Sequence, residues 1–168
     1  MTEYDSLTPV CVFNSAVGNT REPRELSDHS ILVQQSLVTE EYDELNEAYD
    51  DNSIVDVIDA CSDLIVVTAG LIHKLGLNPN EVMEVVNRSN MSKFCYSEKN
   101  ARLSVESYEG DERYRNVHYR EVEKNFYVIY GQKMDSDGWK VLKGIDWTPA
   151  EPELQKLVDK RGNLDEKD

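Results

Sequence analysis

Apolar residues recur at helical spacing from Ser27 onward. In "SDHSILVQQSLVTEEYDELNEAYDD" they fall at Ile31, Leu32, Val38, Leu45 and Ala48, with Ser27 or Asp28 as the N-cap and Asp50, Asp51 and Asn52 as the break. Ser53 then caps a second helix that should run to about Leu75 and stop at Gly76. That helix is apolar on nearly every side (Ile54, Val57, Ile58, Leu64, Ile65, Val66), which predicts that other helices surround it. "LNPNEV" opens a third helix, with Asn78 as cap, Pro79 at the first position and Glu81 in the capping-box place, reaching about Ser92. Residues 1–26 are turn-rich and read as an irregular or briefly helical arm. Beyond Lys99 the pattern turns polar and aromatic, and "NFYVIYGQKMDSDGWKVLKG" predicts a β-hairpin around "DSDG". The tail "EPELQKLVDKRGNLDEKD" should hold a short helix before a charged, frayed end. The expected organisation is an arm (1–26), a helical core (27–99) and an extension (100–168).

Acids interrupt these helices in a pattern. "VDVIDACSDLIVV" places Asp56, Asp59 and Asp63 at about 0°, 300° and 340° around the second helix, one sector of about 60°, with Asp56 near the helix start open between ligand and cap. On the first helix, Glu40, Glu41 and Glu44 lie within about 100° of one another. The link between the helices is a few residues, so they should pack as an antiparallel hairpin with the two acidic clusters facing each other. Facing carboxylates repel, and more strongly when buried. Lys74, at the far end, is the one lysine in the two helices, so a cation from outside is required. Oxygen-only donors suit Mg²⁺, with Mn²⁺ also possible.

The net charge of −15 argues against a nucleic-acid partner and against an anionic membrane surface. The apolar run "LIVVTAGLI" is shorter than the roughly 20 residues of a membrane span. Cys11, Cys61 and Cys95 show no pairing pattern and the first twenty residues show no signal peptide, so a reduced, cytoplasmic protein is expected. His29, His73 and His118 have no ligand spacing and should lie at the surface.

The segment "EEYDEL…D…DACSDLIVV…LGLNPNEVMEVVNRSNMSK" resembles the MazG-like, all-α nucleoside triphosphate pyrophosphohydrolases, relatives of the phosphoribosyl-ATP pyrophosphohydrolases. The resemblance covers residues 28–95. "VFNSAVG" and the late "KVLKG" are similar to the phage and bacterial subgroup that carries "SNMSK". It implies an all-α fold, a four-helix-bundle core completed by a dimer or tetramer, here with a C-terminal β-hairpin appended. Glu41 and Glu44 match the first pair of the family's acidic pattern and Asp63 matches its final aspartate. Most relatives place a glutamate three residues before that aspartate, where this chain has Ala60; Asp59, or Asp56 with Asp59, must substitute. Late in the third helix relatives often carry a lysine and an arginine; Asn87, Asn90 and Lys93 stand in that region here, with Arg88 beside them.

The implied reaction is Mg²⁺-dependent hydrolysis of a nucleoside triphosphate to the monophosphate and pyrophosphate. Glu41, Glu44, Asp59 and Asp63 would hold the metal, with Glu40 either orienting or deprotonating water or serving as an outer ligand. Lys93 and Arg88 could meet phosphate, and Asn87 or Asn90 could meet sugar or base. Lys143 of "KVLKG" could close over a neighbouring subunit's site or stay exposed. Two rival classes differ in kind. A redox di-metal protein would want Glu-x-x-His pairs, which are absent near these acids. A catalytically inactive interaction module would take Ala60 as the mark of a degraded site.

Overall fold

The computed structural model describes residues 7–162. In chain order they form α1 (Thr8–Ala16), α2 (His29–Asp50), α3 (Ile54–Lys74), α4 (Pro79–Met91), α5 (Glu98–Glu106), β1 (Tyr114–Glu123), β2 (Phe126–Lys133), β3 (Trp139–Val141) and α6 (Glu151–Gly162). The chain divides into two compact units. One runs to Met83 and includes the residues from Leu154 onward; the other is Glu84–Glu153. The division falls within α4. The first six residues of the arm and the charged end after Gly162 lie outside the described residues.

The first unit is built on the α2–α3 hairpin, with α1 against α3. Asp28 is the N-cap of α2, and Asn52 turns the link with a φ of 52°. Ser53 Oγ accepts from the backbone N–H of Asp56 at 3.3 Å, the side-chain cap expected for α3. Gly76 ends α3 with a φ of 83°, and a Cβ there would meet the backbone of Glu22 and Pro23 at 2.9 Å. That position therefore needs glycine for conformation and for space. Arg161 of α6 donates to the Leu75 carbonyl at the same helix end. Register comes from polar contacts: Gln34 Nε2 donates to the Val67 carbonyl at 3.0 Å, and Lys74 Nζ to the Ser30 carbonyl at 3.4 Å. Both contacts join the start of α2 to the end of α3, so the helices run antiparallel. Glu41 then stands near the height of Ala60.

One expectation about α3 needs correcting. Its buried residues are Ala60, Ala69, Gly70, His73 and Lys74, whereas Ile54, Val55, Ile58 and Ile65 remain 57–76% exposed. Among the described residues α1 and α2 pack on α3, and the rest of its apolar face stays open within one chain. His73 is not a surface residue: it is 3% exposed, and its Nε2 donates to the Asn19 carbonyl at 3.0 Å. The last turn of α3 faces the segment after α1, which takes the imidazole in.

The second unit is a three-stranded antiparallel sheet in the order β1-β2-β3 with α5 packed on it. Cys95, Ala101, Tyr127, Ile129 and Leu142 form its core. The expected hairpin is β2–β3, closed at the turn by Lys133 N–H donating to the Gly138 carbonyl at 3.0 Å. The sheet, however, has a further strand, β1, and α5 was not anticipated, so the all-α description holds for the first unit alone. Among the described residues no helix is long and apolar enough to cross a membrane.

Candidate functional site

The hairpin register brings five of the six acids into one electrostatic neighbourhood. Glu41 is half-buried on α2, while Glu40, Glu44, Asp56, Asp59 and Asp63 are exposed. Burial, then the charges of Glu44, Asp63, Glu40 and Asp59, hold the Glu41 carboxyl above the usual carboxylate range. Two of those charges come from each helix, so the clusters do face each other. Asp56 is not among them. It sits in the first turn of α3, where its own N–H meets the Ser53 cap and its charge suits the helix dipole. Ala60, in the place where the family pattern has a glutamate, is 5% exposed and belongs to the buried side of α3.

Among the described residues no ion pair neutralises these acids, since the pairs present involve Glu22, Glu84, Glu98, Asp111 and Asp137. Nor do three of them, among the described residues, close to metal-holding distance. Five carboxylates from two facing helices, without a protein cation, form a hard, oxygen-only donor set. That chemistry fits Mg²⁺ or Mn²⁺ and suits thiolate-preferring metals poorly.

The residues considered for substrate contact lie in the second unit. Arg88 is 3.8 Å from Glu84 in an exposed pair, and Asn87 is exposed. Lys93 Nζ donates to Asn90 Oδ1 at 2.7 Å, so these two side chains act together. Two buried polar residues of the first unit escaped the sequence reading: Asn14 and Gln34, each 5% exposed. A Cβ on Gly70 would stand 3.1 Å from Gln34 Nε2 and 3.3 Å from the Asn14 amide. A glycine inside an otherwise apolar helix was their one local signal.

A helical hairpin carrying facing carboxylates is the kind of scaffold on which helical-bundle proteins build metal sites. Residues 13–90 match the family model described as phosphoribosyl-ATP pyrophosphohydrolase, a family that is part of the MazG-like all-α nucleoside triphosphate pyrophosphohydrolase superfamily. The matched segment is a little under half of the chain and contains α2, α3 and the six acids of the two facing clusters. It supports a pyrophosphohydrolase acting on a nucleotide, a hydrolase of acid anhydrides. No curated protein matches the chain significantly.

Proposed function

We propose that the protein hydrolyses a nucleoside or deoxynucleoside triphosphate to the monophosphate and pyrophosphate in a Mg²⁺-dependent reaction. The observation that carries this reading is Glu41: a half-buried carboxylate in the field of four others, from both helices, with no protein cation among the described residues to balance them. Glu41, Glu44, Asp59 and Asp63 would hold the metal. Bound there, Mg²⁺ would offset the triphosphate charge, polarise the α-phosphoryl group and lower the pKa of a coordinated water. Glu40 is turned about 100° from Glu41 around α2 and orients or deprotonates the attacking water. Water adds to the α-phosphorus, the α–β anhydride P–O bond breaks, and pyrophosphate leaves with the bridging oxygen.

The apolar faces of α2 and α3 support a homo-oligomer. Leu32, Val33 and Leu37 on α2 and Ile54, Val55, Ile58 and Ile65 on α3 are exposed, and a second copy would supply the helices that complete a four-helix bundle. The test of function is pyrophosphate release, measured across the nucleoside and deoxynucleoside triphosphates with Mg²⁺ and again with a chelator. Turnover of at least one nucleotide that the chelator abolishes is expected. No turnover of any nucleotide, with no rise in melting temperature on adding Mg²⁺, would overturn the assignment in favour of an inactive interaction module.

A further inference from the structure

The second unit contains a cavity of about 260 Å³ whose walls include Lys93, Arg113, Lys140 and Lys143, with Tyr108 and Tyr114 beside them. No carboxylate lines it. In a chain with 33 acidic and 18 basic residues, four cations around one concavity reverse the prevailing sign. Arg113 is paired with Asp111 at 2.7 Å. The three lysines have no carboxylate partner among the described residues: Lys93 donates to the neutral Asn90 amide, and Lys143 Nζ rests 3.2 Å from the centre of the Trp147 ring.

Solvated lysines on a mobile surface would be the ordinary explanation, but the backbone here is fixed. Tyr108 Oη donates to the Lys143 carbonyl at 3.1 Å and accepts from the Lys143 N–H at 3.0 Å. Gly144 N–H donates to the Lys93 carbonyl at 2.8 Å, tying the two lysine-bearing segments together. A Cβ on Gly144 would stand 2.8 Å from both Cys95 Sγ and that same carbonyl, so the close approach needs glycine. Between them Leu142 is 2% exposed, its N–H bound to the Ile129 carbonyl in the core. Like charges held together by a rigid frame are costly until an anion joins them.

The volume selects among anions. It falls below the roughly 300–1,000 Å³ usual for pockets that enclose a drug-sized organic ligand, so a whole nucleotide is too large. A short phosphate chain is compact, carries several charges, and offers oxygens to ammonium, guanidinium and phenol donors together. We infer that this cavity is an oligophosphate-binding site, taking pyrophosphate or the phosphate tail of a nucleotide. The inference stands on the second unit alone and does not depend on the proposed hydrolysis.

Calorimetric titration of the full chain with pyrophosphate and tripolyphosphate, in a chelating buffer without divalent cations, tests it. The acidic cluster repels phosphate under those conditions, so failure of the hydrolysis reading would leave this result untouched. Saturable binding at least tenfold tighter than that of sulfate is expected. The double variant Lys140→Gln/Lys143→Gln should lose at least tenfold in affinity with its circular dichroism and melting temperature unchanged, both residues being exposed. Displacement of pyrophosphate by a nucleoside triphosphate assigns the phosphate tail; failure to displace assigns free pyrophosphate. Absent binding at millimolar anion, sulfate binding as tightly, displacement by the uncharged nucleoside, or full affinity in the double variant would overturn the inference.

Discussion

Glu41 shares its neighbourhood with Glu44, Asp63, Glu40 and Asp59, and burial, then their repulsion, holds its carboxyl above the usual carboxylate range. Removing one of those charges should therefore stabilise the metal-free protein while disabling it. Glu44→Gln and Asp63→Asn are each expected to add roughly 0.5 kcal/mol of stability in a chelating buffer, the scale of one relieved helical charge pair. Each should also cut turnover by more than about a hundredfold, beyond what loss of an outer-shell partner brings. Asp56→Asn should keep turnover, because that carboxylate stands outside the group acting on Glu41. Chelator-buffered melting curves and pyrophosphate release check both halves; retained turnover in Glu44→Gln or Asp63→Asn would remove that residue from the site. The facing of the two clusters was legible in the sequence, since helical angle and a short link suffice to predict it. The place of Asp56 was legible only as a choice between metal ligand and helix-start acid. Angle alone puts Asp56 and Asp63 in one sector, but seven residues of helix place them about 10 Å apart along the axis.

Elements with both chemical punctuation and apolar contrast were read well, and those lacking either were missed. Ser53, Asn78 and Gly76 mark helix ends by hydrogen bond or positive φ, and α3 and α4 begin and end within a residue or so of the expected places. α5 carries an equally good cap, Ser97, whose Oγ accepts from Asn100 N–H at 3.2 Å, but its nine residues follow a polar stretch with little apolar contrast. β1 hides its alternation behind a register shift between Arg115 and His118, where Asn116 takes a φ of 54°. Buried glycines matter more to the second unit than its turn glycine does. Gly144→Ala forces a methyl group against Cys95 Sγ and the Lys93 carbonyl, both 2.8 Å away, and should cost about 1–3 kcal/mol, the usual range for overpacking. Gly138→Ala meets only the exposed Ser136 hydroxyl at 3.3 Å and should change stability by less than about 0.5 kcal/mol. Urea unfolding of the two variants separates them, and equal midpoints would contradict the close approach at Gly144.

Charge and apolar surface are both unevenly spread over the whole molecule. The second unit holds 11 of the 18 basic residues but only 13 of the 33 acidic ones, so nearly all the negative excess falls on the unit that bears the acidic hairpin. That same hairpin exposes a row of large aliphatic side chains on α2 and α3. High net charge keeps copies apart, whereas a contiguous apolar patch beyond a few hundred Å² draws them together. For α3 the second effect should dominate at ordinary salt, where screening shortens the repulsion to roughly 8–10 Å. Ile58 and Ile65 are 62% and 57% exposed and seven residues apart, two turns along the helix. Charges placed there would face the partner directly while disturbing little within one chain. The unmodified protein is expected to scatter light as a dimer or tetramer of the 19.3 kDa chain, and Ile58→Glu/Ile65→Glu as a monomer that keeps its helical circular dichroism. A monomeric unmodified protein, or an unchanged mass in the double variant, would overturn the assembly. The first result would leave the apolar face of α3 without the partner proposed for it.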